Sequence, residues 1–442
     1  MQSCDTLILP RWCVPIEPAG TTLTEHAVAV SEGRILELLP SADARKKYRP
    51  REIVDRPGHV LIPGLVNAHT HAAMTLFRGI ADDMPLERWL TDGIWPNEKR
   101  WASAEMVRDG TRHAIAEMLR SGVTCFSDQY FFPEVVAMAA SELHMRAVVG
   151  TPVVDFATAW AENAMECISK GTELVHDRYA EDPLITTCFA PHSTYTVPDQ
   201  AFLELRVVAD QLDARIQIHL HESAREVEDA VRATGKRPLQ RLADLGLLNS
   251  SLMAVHAVHM SDDEMRQLAD AGVCVAHCPR SNLKLASGIA NVPALRAAGV
   301  IVALGTDGAA SNNVLDMLGE MRTAALLAKV VSGNAAALTA SDALRMATID
   351  GATALGLADS IGSIEAGKWA DLTCISLQAI NSQPVYDPLS QLVYTSHPDQ
   401  VTDVWVAGRH HVDNGHLTEI NEMELLQRSS EWQRRFSTKI GN

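Results

Sequence analysis

The sequence predicts an α/β chain built as a (β/α)₈ barrel, with a small β-sandwich assembled from both termini. Three observations predict it. Eight short apolar or β-branched runs recur along the middle of the chain, helical patterns separate most of them, and several runs end in His, Glu or Asp. In such a barrel the strands' C-terminal ends share one face, so polar groups far apart in sequence converge there.

The expected strands lie at 60–67, 122–128, 146–153, 185–191, 215–221, 252–258, 273–277 and 301–306. Helical patterns fall at Glu105–Ser121, Pro133–Leu143, Ala157–His176, Pro198–Asp213 and Asp262–Ala271. Ser261 followed by Asp262 and Asp263 reads as a cap with an acidic first turn. Pro63-Gly64 suggests a bend or bulge within the first run.

The ends do not fit the barrel. DTLILP (5–10), AVAVS (27–31) and RILELL (34–39) near the N-terminus, and DLTCISLQ (371–378) and VTDVWVAGR (401–409) near the C-terminus, are short strand-like runs. Neither group closes a core alone, so the two are paired into one sandwich. The expected organisation is 1–58 for its first part, 59–366 for the barrel and 367–442 for its second part. Glu422–Arg435 reads as a terminal amphipathic surface helix.

The chemistry is carried by PGLVNAHTH (63–71), HLHE (219–222), His256 and TDG (306–308). On a strand, His69 and His71 point to the same face and can grip one ion. Alone, H-x-H is more often two ordinary histidines; what raises it is its company. RIQIHLHES, LMAVHAVHM and IVALGTDG each bring a reactive group to a strand end. His219 and His221 share a strand face by the same alternation, so either suits the third imidazole position. CVAHC (274–278) has no second cluster to complete a tetrahedral zinc knuckle and reads as a barrel strand, with His277 a supporting group.

These residues resemble the amidohydrolase superfamily, and within it the adenosine-type deaminases of 5′-methylthioadenosine and S-adenosylhomocysteine. The resemblance spans nearly the whole chain. It rests on PGLVNAHTH, LFRG (76–79), ERW (87–89), WPNE (95–98), PHS (191–193), HLHE, His256, SNLKL (281–285), LGTDGAASNN (304–313) and GSIEAGKWADL (362–372). It implies His69, His71, His219 and Asp307 as ligands of one Zn²⁺ per subunit, with His219 favoured over His221 by its spacing to Glu222. CFAPHS (188–193) has no Lys to bridge a second metal.

The resemblance further implies hydrolytic removal of the purine 6-amino group. Asp307 would accept the water proton, Glu222 would protonate the ring nitrogen and His256 would hold the nucleophile. Trp89 would pack beside the substrate and Glu98 would accept from both ribose hydroxyls. His192 would contact the sugar or purine edge, and Ser311 the base. A homo-oligomer is also implied.

One departure bears on substrate. An Arg expected shortly after Met145-Arg146-Ala147, to pair with the carboxylate of S-adenosylhomocysteine, is replaced by Val148-Val149-Gly150-Thr151-Pro152. This favours 5′-methylthioadenosine, with adenosine and S-adenosylhomocysteine secondary and Arg78 or Arg280 as alternative cations. The rivals are guanine or cytosine deamination, triazine hydrolysis on the same scaffold, and a non-catalytic binding protein.

A formal net charge of -17 argues against a nucleic-acid surface. With no apolar run of membrane-spanning length and Asp5 and Arg11 interrupting the start, the expectation is a cytoplasmic enzyme acting on a small nucleoside, away from membranes. The eight cysteines are scattered and read as reduced thiols.

Overall fold

The computed structural model describes residues 1–437. Five strands come first: β1 (Gln2–Cys13), β2 (Leu23–Thr24), β3 (His26–Ser31), β4 (Arg34–Pro40) and β5 (Tyr48–Pro63). Eight more follow through the middle: β6 (Leu65–Thr70), β7 (Val123–Gln129), β8 (Arg146–Val153), β9 (Ile185–Pro191), β10 (Arg215–Leu220), β11 (Leu252–His256), β12 (Cys274–His277) and β13 (Val302–Leu304). The last four are β14 (Leu372–Ser376), β15 (Val401–Val406), β16 (Arg409–Asp413) and β17 (His416–Leu417).

Strands β6 to β13 form one eight-stranded sheet in sequence order, the arrangement expected of the barrel. Neighbours from β8 to β13 pair in parallel. The Asp307 N–H donates to the His69 carbonyl at 3.0 Å, which brings the region after β13 against β6 and closes the ring. Gly305 is required at that seam, because a Cβ there would stand 2.9 Å from the His69 nitrogen. Every residue of β7, β8, β11 and β12 is buried, as strands covered on both faces must be.

The remaining nine strands form a mixed sheet ordered β17-β16-β15-β14-β5-β1-β3-β4, with β2 on β1. Alternation divides its side chains between two cores. Ile8, Val28, Val30 and Ile35 pack with Leu372, Cys374 and Trp405, whereas Leu7, Leu9, Ala27 and Ala29 pack with Ala44 and Tyr48. Ile35 and Trp405 come from opposite halves of the strand order yet share one cluster, so the sheet folds over a common core.

Two of the boundary differences from the sequence reading bear on the architecture. The run 60–67 splits: Val60 to Pro63 end the long β5 and pair with β14, and the barrel begins at Leu65. Gly64 makes the break, since a Cβ there would collide with Thr124. The helix expected over Ala157–His176 starts only at Ala164, where Asn163 caps it by accepting from the Glu166 N–H, and it ends in a π-turn over Thr172–His176. Ser261 forms the full capping box with Glu264.

Contacts divide the chain into two compact units, one of residues 1–67, 116–125 and 316–420, the other of 68–115, 126–315 and 421 onward. Every proposed site residue belongs to the second. In that unit the terminal helix Glu422–Ser437 buries Leu425, Trp432 and Phe436, and its Trp432 indole donates to Asp109 at 2.8 Å. Among the described residues, no helix is long and apolar enough to cross a membrane. All eight cysteines are buried, and none of them forms a disulfide among the described residues.

Candidate active site

The strand ends bring His69, His71, His219 and Asp307 together, with one ligand atom from each lying within 4.8 Å of the others. His69 lies in β6 and His71 directly follows its last residue, Thr70, and both rings reach the cluster. His69 Nε2 is 3.1 Å from His219 Nε2, and His71 Nε2 is 3.1 Å from Asp307 Oδ1.

Each imidazole's outer nitrogen is committed elsewhere. His69 Nδ1 faces Gln217 Oε1 at 3.4 Å, His71 Nδ1 faces the Gln129 carbonyl at 2.6 Å, and His219 Nδ1 faces the His192 carbonyl at 2.7 Å. All three partners are acceptors, so each Nδ1 carries a proton, and the neutral form of each ring turns its Nε2 lone pair inward. Three such nitrogens and a carboxylate are the donor set of a zinc site. The site also favours positive charge: burial would lower the pKa of His71, yet the Asp307 carboxylate lifts it to about 9. Burial likewise acts to raise Asp307, but the surrounding imidazoles hold its carboxyl well below the usual range.

The structure places His219, not His221, in the cluster. His221 adopts φ +52°, ending the strand alternation. Its ring turns away from the cluster, where Nε2 accepts the Leu239 N–H at 3.2 Å. His256 and Asp307 also have positive φ, +72° and +61°. Such left-handed backbone at non-glycine residues costs roughly 1–3 kcal/mol each and concentrates where side chains must be aimed at a site.

Glu222 and His256 flank the cluster. His256 Nε2 is 3.7 Å from Glu222 Oε2, and its Nδ1 meets Asn282 Nδ2 at 3.0 Å. The amide donates, so the His256 proton sits on Nε2 and faces the site. Burial, helped by the charge of Asp307, pushes the Glu222 carboxyl up to about 8. A buried carboxyl that keeps its proton at neutral pH can act as an acid.

The other expected residues lie in the same unit. Trp89 is buried in the π-turn Trp89–Ile94, and Glu98 follows in the helix Trp95–Trp101. Burial raises Glu98 to about 7 despite the opposing influence of Tyr130 and His71. His192 is held neutral by burial, its pKa pushed down to about 4, and its Nδ1 lies 3.2 Å from both the Ser193 and Thr196 hydroxyls. Ser311, expected against the base, donates to Asp307 Oδ2 at 2.7 Å from the short helix Ala309–Asn312. Of the two alternative cations, Arg78 donates to the Asn313 carbonyl.

Several supporting residues escaped the sequence reading. Ser281 donates to Asp307 Oδ2 at 2.6 Å, and Ser287 lies 3.5 Å from Glu222. Gln217 carried a signal: it is a polar residue two positions before His219 in the alternating strand RIQIHL, hence on the same face.

A family model described as Amidohydrolase family matches residues 60–410. The chain belongs to the amidohydrolase family. Two curated amidohydrolase relatives, both named 5-methylthioadenosine/S-adenosylhomocysteine deaminase, come from Teredinibacter turnerae and Saccharophagus degradans. The first is 48% identical over 97% of each chain. The second is 44% identical over 97% of this chain and 96% of its own. A crystal structure of an adenosine deaminase from Xanthomonas campestris with bound zinc matches with a TM-score of 0.98 at 50% identity, covering 99% of both chains.

Proposed function

We propose that this chain removes the 6-amino group of an adenine nucleoside by hydrolysis, converting 5′-methylthioadenosine to 5′-methylthioinosine, with adenosine and S-adenosylhomocysteine as secondary substrates. The observation that carries the reading is geometric: three imidazoles and the Asp307 carboxylate meet in one cluster, and the Glu222 carboxyl flanks it 3.7 Å from His256. The names of the relatives and of the zinc-bound neighbour support it.

His69, His71, His219 and Asp307 would hold one zinc ion per subunit. When bound, zinc lowers the pKa of water to about 7 and so supplies hydroxide at neutral pH. Asp307 takes the water proton. Hydroxide oxygen adds to the carbon bearing the amine while Glu222 passes its proton to the adjacent ring nitrogen, so no charge accumulates on the purine. His256 donates through Nε2–H to orient the attacking oxygen. Asp307 then returns its proton to the amine, which leaves as ammonia. The remaining hydroxyl proton restores Glu222 as the carbonyl forms.

The serine hydroxyls on Asp307 Oδ2 fix the carboxylate plane, leaving Oδ1 toward the imidazoles. Trp89 would pack beside the substrate, His192 would meet the sugar or purine edge, and Glu98 would receive the ribose hydroxyls. Free bases and triazines carry no ribose, which is why this arm favours a nucleoside. The absence of a cation over 148–152 favours a substrate without an amino-acid tail.

The test is ammonia release, with ultraviolet detection, from 5′-methylthioadenosine, S-adenosylhomocysteine, adenosine, adenine, guanine and cytosine side by side. Fastest turnover of 5′-methylthioadenosine is expected, and no turnover of any nucleoside overturns the reading. A companion variant probes the ribose contact. Glu98→Gln lowers kcat/KM for nucleosides by about 10- to 100-fold, the worth of hydrogen bonds to a charged acceptor, and leaves free adenine unaffected. Because the ionised form accepts, the wild-type KM for nucleosides falls as pH rises through about 7, the value to which Glu98 is raised. Equal losses on adenine would remove Glu98 from the ribose.

A further inference from the structure

Strand β10 delivers His219 to the metal cluster and, three residues later, Glu222 to the substrate side. Between them the chain must leave the strand, pass through a left-handed residue at His221 and enter the helix Ala224–Thr234. A turn made this way is not held by strand pairing. Its two exposed donors, the backbone N–H groups of His221 and Glu222, need acceptors, and the structure supplies both from one side chain. Glu226 Oε1 accepts from His221 N at 3.1 Å, and Glu226 Oε2 accepts from Glu222 N at 2.8 Å.

We infer that Glu226 is the positioning residue for Glu222, a two-pronged clamp that fixes the backbone from which the proposed general acid projects. The inference rests on the reading of Glu222 as that acid.

Helix capping does not account for this arrangement. Ser223 is the N-cap, and its hydroxyl accepts the Glu226 N–H at 3.1 Å. In a capping box the carboxylate at the third helical position returns to the N-cap N–H. Here it bypasses Ser223 and reaches the two residues before it. Ser261 and Glu264 form the ordinary version elsewhere in the same unit, with Glu264 accepting from Ser261 N at 2.8 Å. Glu226 thus spends both oxygens on the turn that carries Glu222, and none on the helix it belongs to.

The rest of the turn is braced independently. The His221 carbonyl accepts from Val258 N at 3.1 Å and from His259 N at 3.0 Å, and the His221 ring accepts from Leu239 N. These bonds hold the turn's far side. Only the Glu226 carboxylate bonds the peptide N–H of Glu222 itself among the hydrogen bonds described. Without it, the chain remains anchored at His221 while Glu222 gains rotational freedom about its own backbone. Misplacement of a catalytic group by an ångström costs about 10²-fold in rate, so the clamp acts on turnover rather than on substrate capture.

The experiment compares the zinc-loaded wild type with Glu226→Ala, Glu226→Gln, Glu222→Gln and the double variant Glu222→Gln/Glu226→Ala. The readouts are kcat and KM for 5′-methylthioadenosine, zinc content and Tm. Glu226→Ala is expected to lose about 10- to 100-fold in kcat with KM and zinc content retained. Glu226→Gln, which keeps the shape but offers one acceptor in place of two, falls between. In the Glu222→Gln background the Ala substitution costs no further activity, because the group it positions is already gone. Three results would each overturn the inference: unchanged kcat in both folded single variants, zinc lost in step with activity, or an undiminished cost in the Glu222→Gln background. Full deamination by Glu222→Gln alone would instead defeat the reading of Glu222 as the acid.

Discussion

Asp307→Asn is expected to lower kcat/KM for 5′-methylthioadenosine by at least about 10³-fold, because in the proposed mechanism one carboxylate both closes the ligand set and carries the water proton. An amide keeps the shape and loses both functions. With its oxygen kept toward Ser281 and Ser311, its NH₂ replaces the oxygen that faces His71, so that edge has no lone pair for a cation or for the water proton. The check is ammonia release together with zinc content measured by atomic absorption. Loss of turnover in a variant with a wild-type melting curve supports the assignment. Retained turnover would move the proton to another base.

Glu222→Gln costs about 10²- to 10⁴-fold in kcat, the range of one positioned proton transfer, with zinc retained because Glu222 is no ligand. The pH dependence carries the sign. Burial and the charge of Asp307 raise Glu222 to about 8, so the acid form persists through neutral pH and is lost above that value. Wild-type kcat/KM therefore declines as pH rises through about 8, and this descending limb disappears from the residual activity of the Gln variant. A limb of the same position in Glu222→Gln would assign it to a different group.

The barrel was legible because its strands are buried on both faces. Continuous apolar runs such as Leu252–His256 and Cys274–His277 leave no competing interpretation once eight recur with helices between them. The ligand histidines were legible for a related reason, being charged-capable residues at the ends of apolar runs. What sequence could not carry was dihedral and long-range. Nothing in HLHE announces that His221 turns to φ +52°, so alternation left two candidates where the backbone permits one.

The supporting shell was hidden for the same reason. Ser281, Asn282 and Glu226 act through hydrogen bonds to other segments or other backbone atoms, and no periodicity marks a serine that happens to meet a carboxylate twenty-six positions later. Ser311 shows the limit from the other side: its place near the site was legible, whereas the direction of its hydroxyl depended on the turn of Ala309–Asn312. The late start of the expected helix, at Ala164 instead of Ala157, was decided by a single cap, Asn163.

Strand β5 has a bearing on how the polypeptide is made. It lies between β1, synthesised before it in the same N-terminal segment, and β14, whose Cys374 and Ile375 pair with Leu61 and Val60. A ribosome must therefore translate the entire barrel before that edge of β5 receives its partner. Throughout this interval the nascent chain presents unpaired peptide groups flanked by Val60, Leu61 and Ile62, the kind of edge that recruits foreign strands. Fragments ending after the barrel would keep every catalytic group discussed above and still aggregate, whereas supplying the missing strands in trans gives that edge its native cover.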